Sequence, residues 1–257
     1  MLFRSLMLSK RKVLVIGDSC LDEFVYCSTD RLAPDVPVPI LKPINKTDNP
    51  GMAMNLYRNL EAMGVAVDII TNSNWKSYKK TRYVDLETNH MFFRVDSGSV
   101  SALRRLDIRA LESYYIVAIS DYNKGFLSNA DIERICSNHE RVFMDTKKPL
   151  GSFALLAKHI KINRKEYEAS SAFLSEFPAF RDRAVIKTDG ANGAWFAGQQ
   201  YTTETVSISD VSGAGDTFFA ALIKDYCFQG EITGAIRQAN RCALQAVQKR
   251  GVAIISK

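Results

Sequence analysis

"RVFMDTKKPLGSFALLAKHIKIN", Arg141 to Asn163, holds two short apolar runs, and each closes on a polar residue, Asp145 or Asn163. Runs this short and this rich in Val, Ile and Phe read as buried strands, and the segment between them reads as helical. The same unit recurs on both sides. "YYIVAIS" (Tyr114–Ser120) runs into Asp121, and "RAVIKT" (Arg183–Thr188) ends at Thr188-Asp189-Gly190. Strands alternating with helices predict βαβ units around a parallel sheet, an α/β fold. In such a sheet the strand ends share one edge, where ligands bind. Taken singly, each polar residue is a turn former or a helix cap. Four of them on one edge predict a site.

Upstream, Val13–Ile16 reads as the first strand. "APDVPVPILKP" (Ala33–Pro43) has alternating prolines and is expected as extended edge structure. "MAMNLYRNLEAMG" (Met52–Gly64) reads as a helix with a glycine stop, and "KKTRYVDL" (Lys79–Leu86) and "HMFFRVD" (His90–Asp96) as strands. Two long helices are expected near Asp216–Phe228 and Thr233–Arg250. No linker divides the chain. Residues 1–257 are expected to form one domain, with a small β lid from about 23–48 and 78–96.

Hydrophobic content of 46% and charged content of 24% place the chain among ordinary globular proteins. No apolar run is long enough to span a bilayer, and "MLFRSLMLSKRK" lacks the continuous apolar stretch of a signal peptide. The five cysteines, Cys20, Cys27, Cys136, Cys227 and Cys242, form no CxxC pair, which predicts reduced thiols and a cytoplasmic location. A net charge of +6 suits a polyanionic partner without naming one, and no nucleic-acid-binding motif accompanies it. Neither nucleic acid nor a membrane is expected as a partner.

"DVSGAGDTFFAAL" (Asp210–Leu222) sets two glycines and an acid at the head of an apolar helix. It is not a Walker A loop, because the Gly-Lys-Ser/Thr ending is missing. It is not a dinucleotide fingerprint either, because Phe218 stands where the third glycine belongs. A glycine turn at a helix start can hold phosphoryl charge on its N–H groups. Asp216 is then either a first-turn carboxylate or a base that takes the proton of an attacking hydroxyl.

At this point the stretch resembles the C-terminal signature of the ribokinase-like (PfkB) carbohydrate kinases. The resemblance implies a three-layer αβα fold with a mostly parallel sheet and a small β lid. It implies Asp216 as catalytic base and Gly213, Ala214 and Gly215 as the anion hole. "NRKE" is similar to the family's NxxE, implying that Asn163 and Glu166 organise Mg²⁺ and the phosphates. "TDGANG" resembles its TxGxxG segment, implying Thr188, Gly190 and Gly193 beside ATP, with Asn240 lining the adenine pocket. "VLVIGDSCLDEFVYC", "RLAPDVPVPI", "NPGMAMNLYRNLEAMG", "SDYNKG" and "MDTKKP" resemble the heptose-7-phosphate kinase domain of the bifunctional ADP-heptose synthases. That resemblance runs from about Val13 to Ser256. It implies phosphorylation of the anomeric hydroxyl of a heptose 7-phosphate, with Asp22, Gly51, Asn55 and Lys124 at the sugar.

The chain departs from this pattern at two places. Met52 stands where the second glycine of the substrate loop belongs, and the helix and strand usual for the family are lacking between Ile70 and Trp75. None of His90, His139 and His159 lies in an HxGH motif, so no nucleotidyltransferase half is expected in this chain. Other readings stay open: another sugar kinase, a nucleoside kinase with an aromatic-lined acceptor pocket, or a catalytically weak binding protein of the same fold. Glu166 taken alone reads rather as a surface helix residue, and Lys124 and Lys147 also read as solvated lysines. Phe218, Phe219 and Trp195 read as packing residues. An exposed lid edge predicts pairing with a second subunit, a homodimer.

Overall fold

Val13–Gly17 is buried along its whole length, with Val13 and Val15 in one apolar cluster and Leu14 and Ile16 in another. A strand covered on both faces requires that division, because successive side chains point to opposite sides. The structure is a computed structural model and describes residues 11–249 and 254–255. In chain order its strands are β1 (Val13–Gly17), β2 (Ser19–Leu32), β3 (Pro39–Met52), β4 (Val67–Thr71), β5 (Lys79–Asp85) and β6 (Met91–Ser97). There follow β7 (Ile116–Asp121), β8 (Val142–Thr146), β9 (His159–Asn163), β10 (Val185–Thr188), β11 (Ala194–Phe196) and β12 (Gln199–Tyr201). The α-helices are α1 (Ala53–Ala62), α2 (Asn129–Ser137), α3 (Arg164–Ala169), α4 (Ser171–Glu176), α5 (Pro178–Ala184), α6 (Ala214–Gln229) and α7 (Ile232–Val247).

The central sheet runs β12-β11-β10-β9-β8-β7-β1-β4. From β4 to β10 every pairing is parallel, with Val13 opposite both Val67 and Ile116, and Phe143 opposite His159. The β11–β12 hairpin continues the sheet antiparallel. Residues of α1, α6 and α7 share one apolar cluster with Val13, Val15 and Phe143. Residues of α2, α4 and α5 share the other with Leu14, Val142 and Ile160. The result is three layers. Each fully buried leucine, such as Leu56 or Leu60, contributes about 1.5–3 kcal/mol of burial.

Helix α6 is apolar all round because it lies inside the molecule, packed on α7 and α1. In its first turn Gly215 stays exposed while Asp216 and Thr217 are buried, which carries the Asp216 carboxylate out of solvent. The N-termini of α2, α3 and α7 are capped by the side chains of Ser128, Asn163 and Glu231. At α6 the cap position is Gly213 in the left-handed conformation, φ 78°, with no side-chain cap. The Ala214 N–H bonds the Val211 carbonyl at 3.3 Å, and the N–H groups of Gly215 and Asp216 have no helical carbonyl to bond.

The lid sheet runs β3-β2-β5-β6. Strands β2 and β5 pair parallel, and the outer pairs are antiparallel. β3 carries Pro39, Pro43 and Pro50 and lies at the edge, where missing N–H donors cost nothing. The lid strands reach further than 23–48, starting at Ser19 and ending at Met52, so the lid is continuous with the site. The crossover from β8 to β9 departs from the helix read in the sequence. It holds one 3-10 turn, Ser152–Ala154, because Pro149 and Gly151 interrupt the segment. Between β4 and β5 the chain makes only a tight turn, so β4 ends the central sheet.

Candidate active site

Asp216 accepts hydrogen bonds from two distant side chains. Asn55 Nδ2 donates to Oδ2 at 2.7 Å, and the Tyr122 hydroxyl donates to Oδ1 at 2.6 Å. Burial raises the Asp216 pKa above the ordinary aspartate value, and these two donors restrain the rise by favouring the ionised form. A buried carboxylate held in this way can accept a proton from a hydroxyl brought beside it.

Behind the first turn of α6 lies a ladder of charges on the strand ends. Lys161 Nζ bonds Asp145 Oδ2 at 2.8 Å, and a Cβ placed on Gly215 would lie 3.0 Å from that ammonium. Lys147 Nζ is 3.3 Å from Asp145 and 2.7 Å from Glu166 Oε1. Burial opposes the charge on Asp145, but Lys161 and Lys147 outweigh it and hold the carboxyl below its usual range. Burial works against the Lys147 charge, and Asp145 and Glu166 more than reverse it, raising its pKa.

Asn163 and Glu166 form a reciprocal capping box at the start of α3. Asn163 Oδ1 accepts from the Glu166 N–H at 2.9 Å, and Glu166 Oε2 accepts from the Asn163 N–H at 2.8 Å. Glu166 Oε1 also takes Asn163 Nδ2 at 2.8 Å. The pair lines neither of the two clefts described next and stands behind Lys147. Asp121 plays no part in them. It is fully buried and holds the Thr146 hydroxyl and Lys148, each at 2.7 Å.

On one side of α6 a cleft of about 320 Å³ is lined by Thr188, Gly190, Gly193, Ala214, Gly215 and Asn240, with apolar walls from Phe218, Val211 and Leu244. Gly190 and Gly193 have φ of 52° and 76°. A Cβ on Gly193 would fall 2.1 Å from the Tyr201 carbonyl, so only glycine fits there. Asn240 Nδ2 donates to the same carbonyl at 2.8 Å. Phe218 is buried as read from the sequence, and it also forms a wall of this cleft.

On the other side a cleft of about 610 Å³ lies between the lid and α6. Asp22, Asn55, Met52, Lys124 and Asp216 line it, together with Tyr122, Lys80, Arg82, Arg94, Lys147 and Lys165, which the sequence reading did not place there. Strand register explains the cations. Asp22 is opposite Lys80, Phe24 is opposite Arg82, and Arg82 is opposite Arg94, so Asp22, Lys80, Arg82 and Arg94 share one face. The alternation in "KKTRYVD" was the available signal. Arg82 reaches Asp22 Oδ1 at 2.6 Å. Gly51 abuts the same carboxylate, and a Cβ there would fall 2.2 Å from Asp22 Oδ2.

Met52 has φ 63° and ψ −129°, a conformation glycine adopts at little cost. Its side chain is buried with Cys20 and Tyr78, in a cluster that Tyr122 packs against. The methionine thus lines the cleft as part of a packed wall.

Residues 56–257 match the family described as pfkB family carbohydrate kinase. The bifunctional protein HldE of Hyphomonas neptunium is 27% identical over 303 residues, covering 96% of this chain and 62% of the relative. The protein of the same name in Caulobacter vibrioides is 27% identical over 304 residues, with 96% and 62% covered. The chain thus spans about 62% of the length of these relatives. Among solved structures, phosphofructokinase-2 of Escherichia coli superposes with a TM-score of 0.74 at 16% identity, covering 96% of this chain and 95% of that one. Ribokinase of Thermotoga maritima gives 0.70 at 15% identity, with 94% of each chain covered. These structural likenesses share the ribokinase-like fold.

Proposed function

Because the chain belongs to the pfkB family of carbohydrate kinases, we propose that it transfers the γ-phosphate of ATP to a phosphorylated sugar, at the anomeric hydroxyl of a heptose 7-phosphate. The observation that carries this reading is the charge of the acceptor cleft. Lys80, Arg82, Arg94, Lys124, Lys147 and Lys165 line it with Asp22 and Asp216, and behind the lining Lys147 pairs with Asp145 and Glu166 and Arg94 with Asp96. A neutral sugar gains little from six cations, whereas a sugar phosphate answers them. Tyr122 is the one aromatic residue among those lining it, which disfavours a nucleoside acceptor.

ATP occupies the cleft of Thr188, Gly190, Gly193 and Asn240, with its terminal phosphates at the Gly213–Gly215 turn. Asp22 and Asn55 orient the sugar, with Gly51 giving Asp22 its room and Lys124 at the rim. The acceptor oxygen attacks the γ-phosphorus, the bond to the bridging β–γ oxygen breaks, and ADP leaves. The hydroxyl proton passes to Asp216. Charge that builds on the phosphoryl oxygens meets the first-turn amides of α6 and Lys147.

Mg²⁺ bound with the nucleotide would neutralise the β- and γ-phosphates. Among the described residues no three His, Cys, Asp or Glu side chains converge, and Glu166 is already hydrogen-bonded through both oxygens. That donor set fits an ion carried by phosphates and water, with Asn163 and Glu166 behind the water.

A homodimer through the lid belongs to the same reading. Phe93 and Val95 lie at alternate positions of β6 and are each about half exposed, a patch a second lid would cover, while Met91 lies beyond a register shift in the strand. A cytoplasmic location is supported by the free, buried state of all five cysteines.

The test is ATP consumption with heptose 7-phosphate, fructose 6-phosphate, ribose and unphosphorylated heptose, comparing wild type with Asp216→Asn. Turnover is expected with heptose 7-phosphate and not with its unphosphorylated form. If no sugar raises ATP consumption above that of the variant, the kinase reading falls.

A further inference from the structure

Tyr122 sits at the meeting point of three features of the acceptor side. Its backbone N–H donates to Asp18 Oδ2 at 2.7 Å, and the N–H of Phe126 donates to Asp18 Oδ1 at 3.1 Å. Asp18 is fully buried, so it pins both ends of the turn after β7 from inside. The ring packs against the cluster of Cys20, Met52 and Tyr78. Lys80 and Lys147 lie 5.0 and 5.4 Å from its centroid. The hydroxyl then has one charged acceptor, Asp216 Oδ1.

We propose that Tyr122 is a positioning residue for the transfer: its hydroxyl keeps Asp216 ionised and turns the other carboxylate edge, beside Asn55, toward the incoming sugar. The proposal rests on Asp216 being the base. A hydrogen bond to a charged group is worth about 1.5–3 kcal/mol, enough to move a titration midpoint by one to two pH units. Without it the buried acid would hold its proton into the range where it must be empty. The other groups around Asp216 are fixed by different elements: Asn55 on α1, Asp145 on β8, Lys147 just beyond β8, Lys161 on β9 and Cys20 on β2, with Asp22 of β2 lining the same cleft. Tyr122 is thus the removable donor that leaves the surrounding charges in place. Burial and the negative charges of Asp216 and Asp145 raise the phenol's own pKa far above its ordinary value, so it remains a donor at every working pH.

The experiment titrates the carboxylate directly, without any sugar. Full-length protein labelled with [γ-¹³C]aspartate is followed by NMR, and Asp216→Asn assigns the resonance. Tyr122→Phe is expected to raise the Asp216 midpoint by about one pH unit or more. Replacing Tyr122 with 3,5-difluorotyrosine keeps the ring and strengthens the donor, and it is expected to lower the midpoint. That variant decides the matter if Tyr122→Phe does not fold. With heptose 7-phosphate the acid limb of kcat/KM should move with the midpoint. An Asp216 midpoint unmoved by either replacement overturns the proposal. If the midpoint moves as expected but no sugar is phosphorylated, Tyr122 keeps its hold on Asp216 and the kinase reading alone is lost.

Discussion

Asn55 and Asp216 are 161 residues apart in sequence and joined by a hydrogen bond of 2.7 Å. The contact ties the first turn of α1, which follows the lid, to the first turn of α6, which borders both clefts. Removing the carboxylate in Asp216→Asn should lower kcat by about 10²–10⁴-fold, the usual contribution of a positioned base. Asn55→Leu should leave KM for ATP near wild type and lower kcat/KM for the sugar by about 10-fold or more, since it removes a hydrogen bond to a charged group. Steady-state kinetics in each substrate separates the two. An equal rise in KM for both substrates would count against the assignment of Asn55 to the acceptor side.

The lid cations give a prediction about substrate class. Arg82→Ala and Arg94→Ala should each raise KM for a phosphorylated acceptor by about 10–100-fold, the value of a hydrogen bond between charged groups. KM for ATP should not move. Arg82 also holds Asp22, so its loss should further lower kcat, whereas that of Arg94 should not. An unphosphorylated acceptor, if turned over at all, should be indifferent to Arg94→Ala.

What the sequence made legible follows the range of the interactions. The parallel strands and Asp216 were readable because apolar runs and a glycine turn are local signals. Arg82 and Arg94 were not, because their common face depends on a pairing between β5 and β6 that no short segment encodes. Tyr122 was hidden for a similar reason, since its backbone is held by Asp18, 104 residues earlier. The β11–β12 hairpin escaped because its strands have three residues each and Ala197 takes a positive φ of 49° where Asn or Gly is the usual signal. The lid edge was legible from its prolines alone.

Met52 sets backbone strain against packing. A non-glycine residue in its conformation costs about 1–3 kcal/mol, which Met52→Gly would relieve. Truncating a buried methionine costs about 2–5 kcal/mol, and glycine adds a further entropic loss of about 0.5–1 kcal/mol. Packing wins, so Met52→Gly should destabilise the protein by about 1–3 kcal/mol. Met52→Ala keeps the strain and loses most of the packing, so the alanine variant should be less stable than the glycine variant. Urea unfolding of the three proteins reads this order directly. If alanine proves the more stable, the positive φ at this position carries no strain.

His159 makes the fold sensitive to acid. It is buried among Phe143, Phe196 and Tyr226, and its Nδ1 has no hydrogen-bond partner. Burial, then the nearby charges of Lys158 and Arg183, push its pKa down from 6.5 to about 3. Above pH 6.5 the ring is neutral in both folded and unfolded chains and has no effect on the pH dependence. Between pH 6.5 and about 3 the unfolded chain binds a proton that the folded chain refuses, so stability falls as the pH falls. The slope from this residue is about 1.4 kcal/mol per pH unit. His159→Phe keeps an aromatic ring in the cluster and removes the titration. Its unfolding free energy, measured from pH 7 to pH 5, should decline less steeply than that of wild type by about that slope. Parallel pH profiles would mean that water or a rearranged partner reaches the imidazole and lets it protonate in the folded protein.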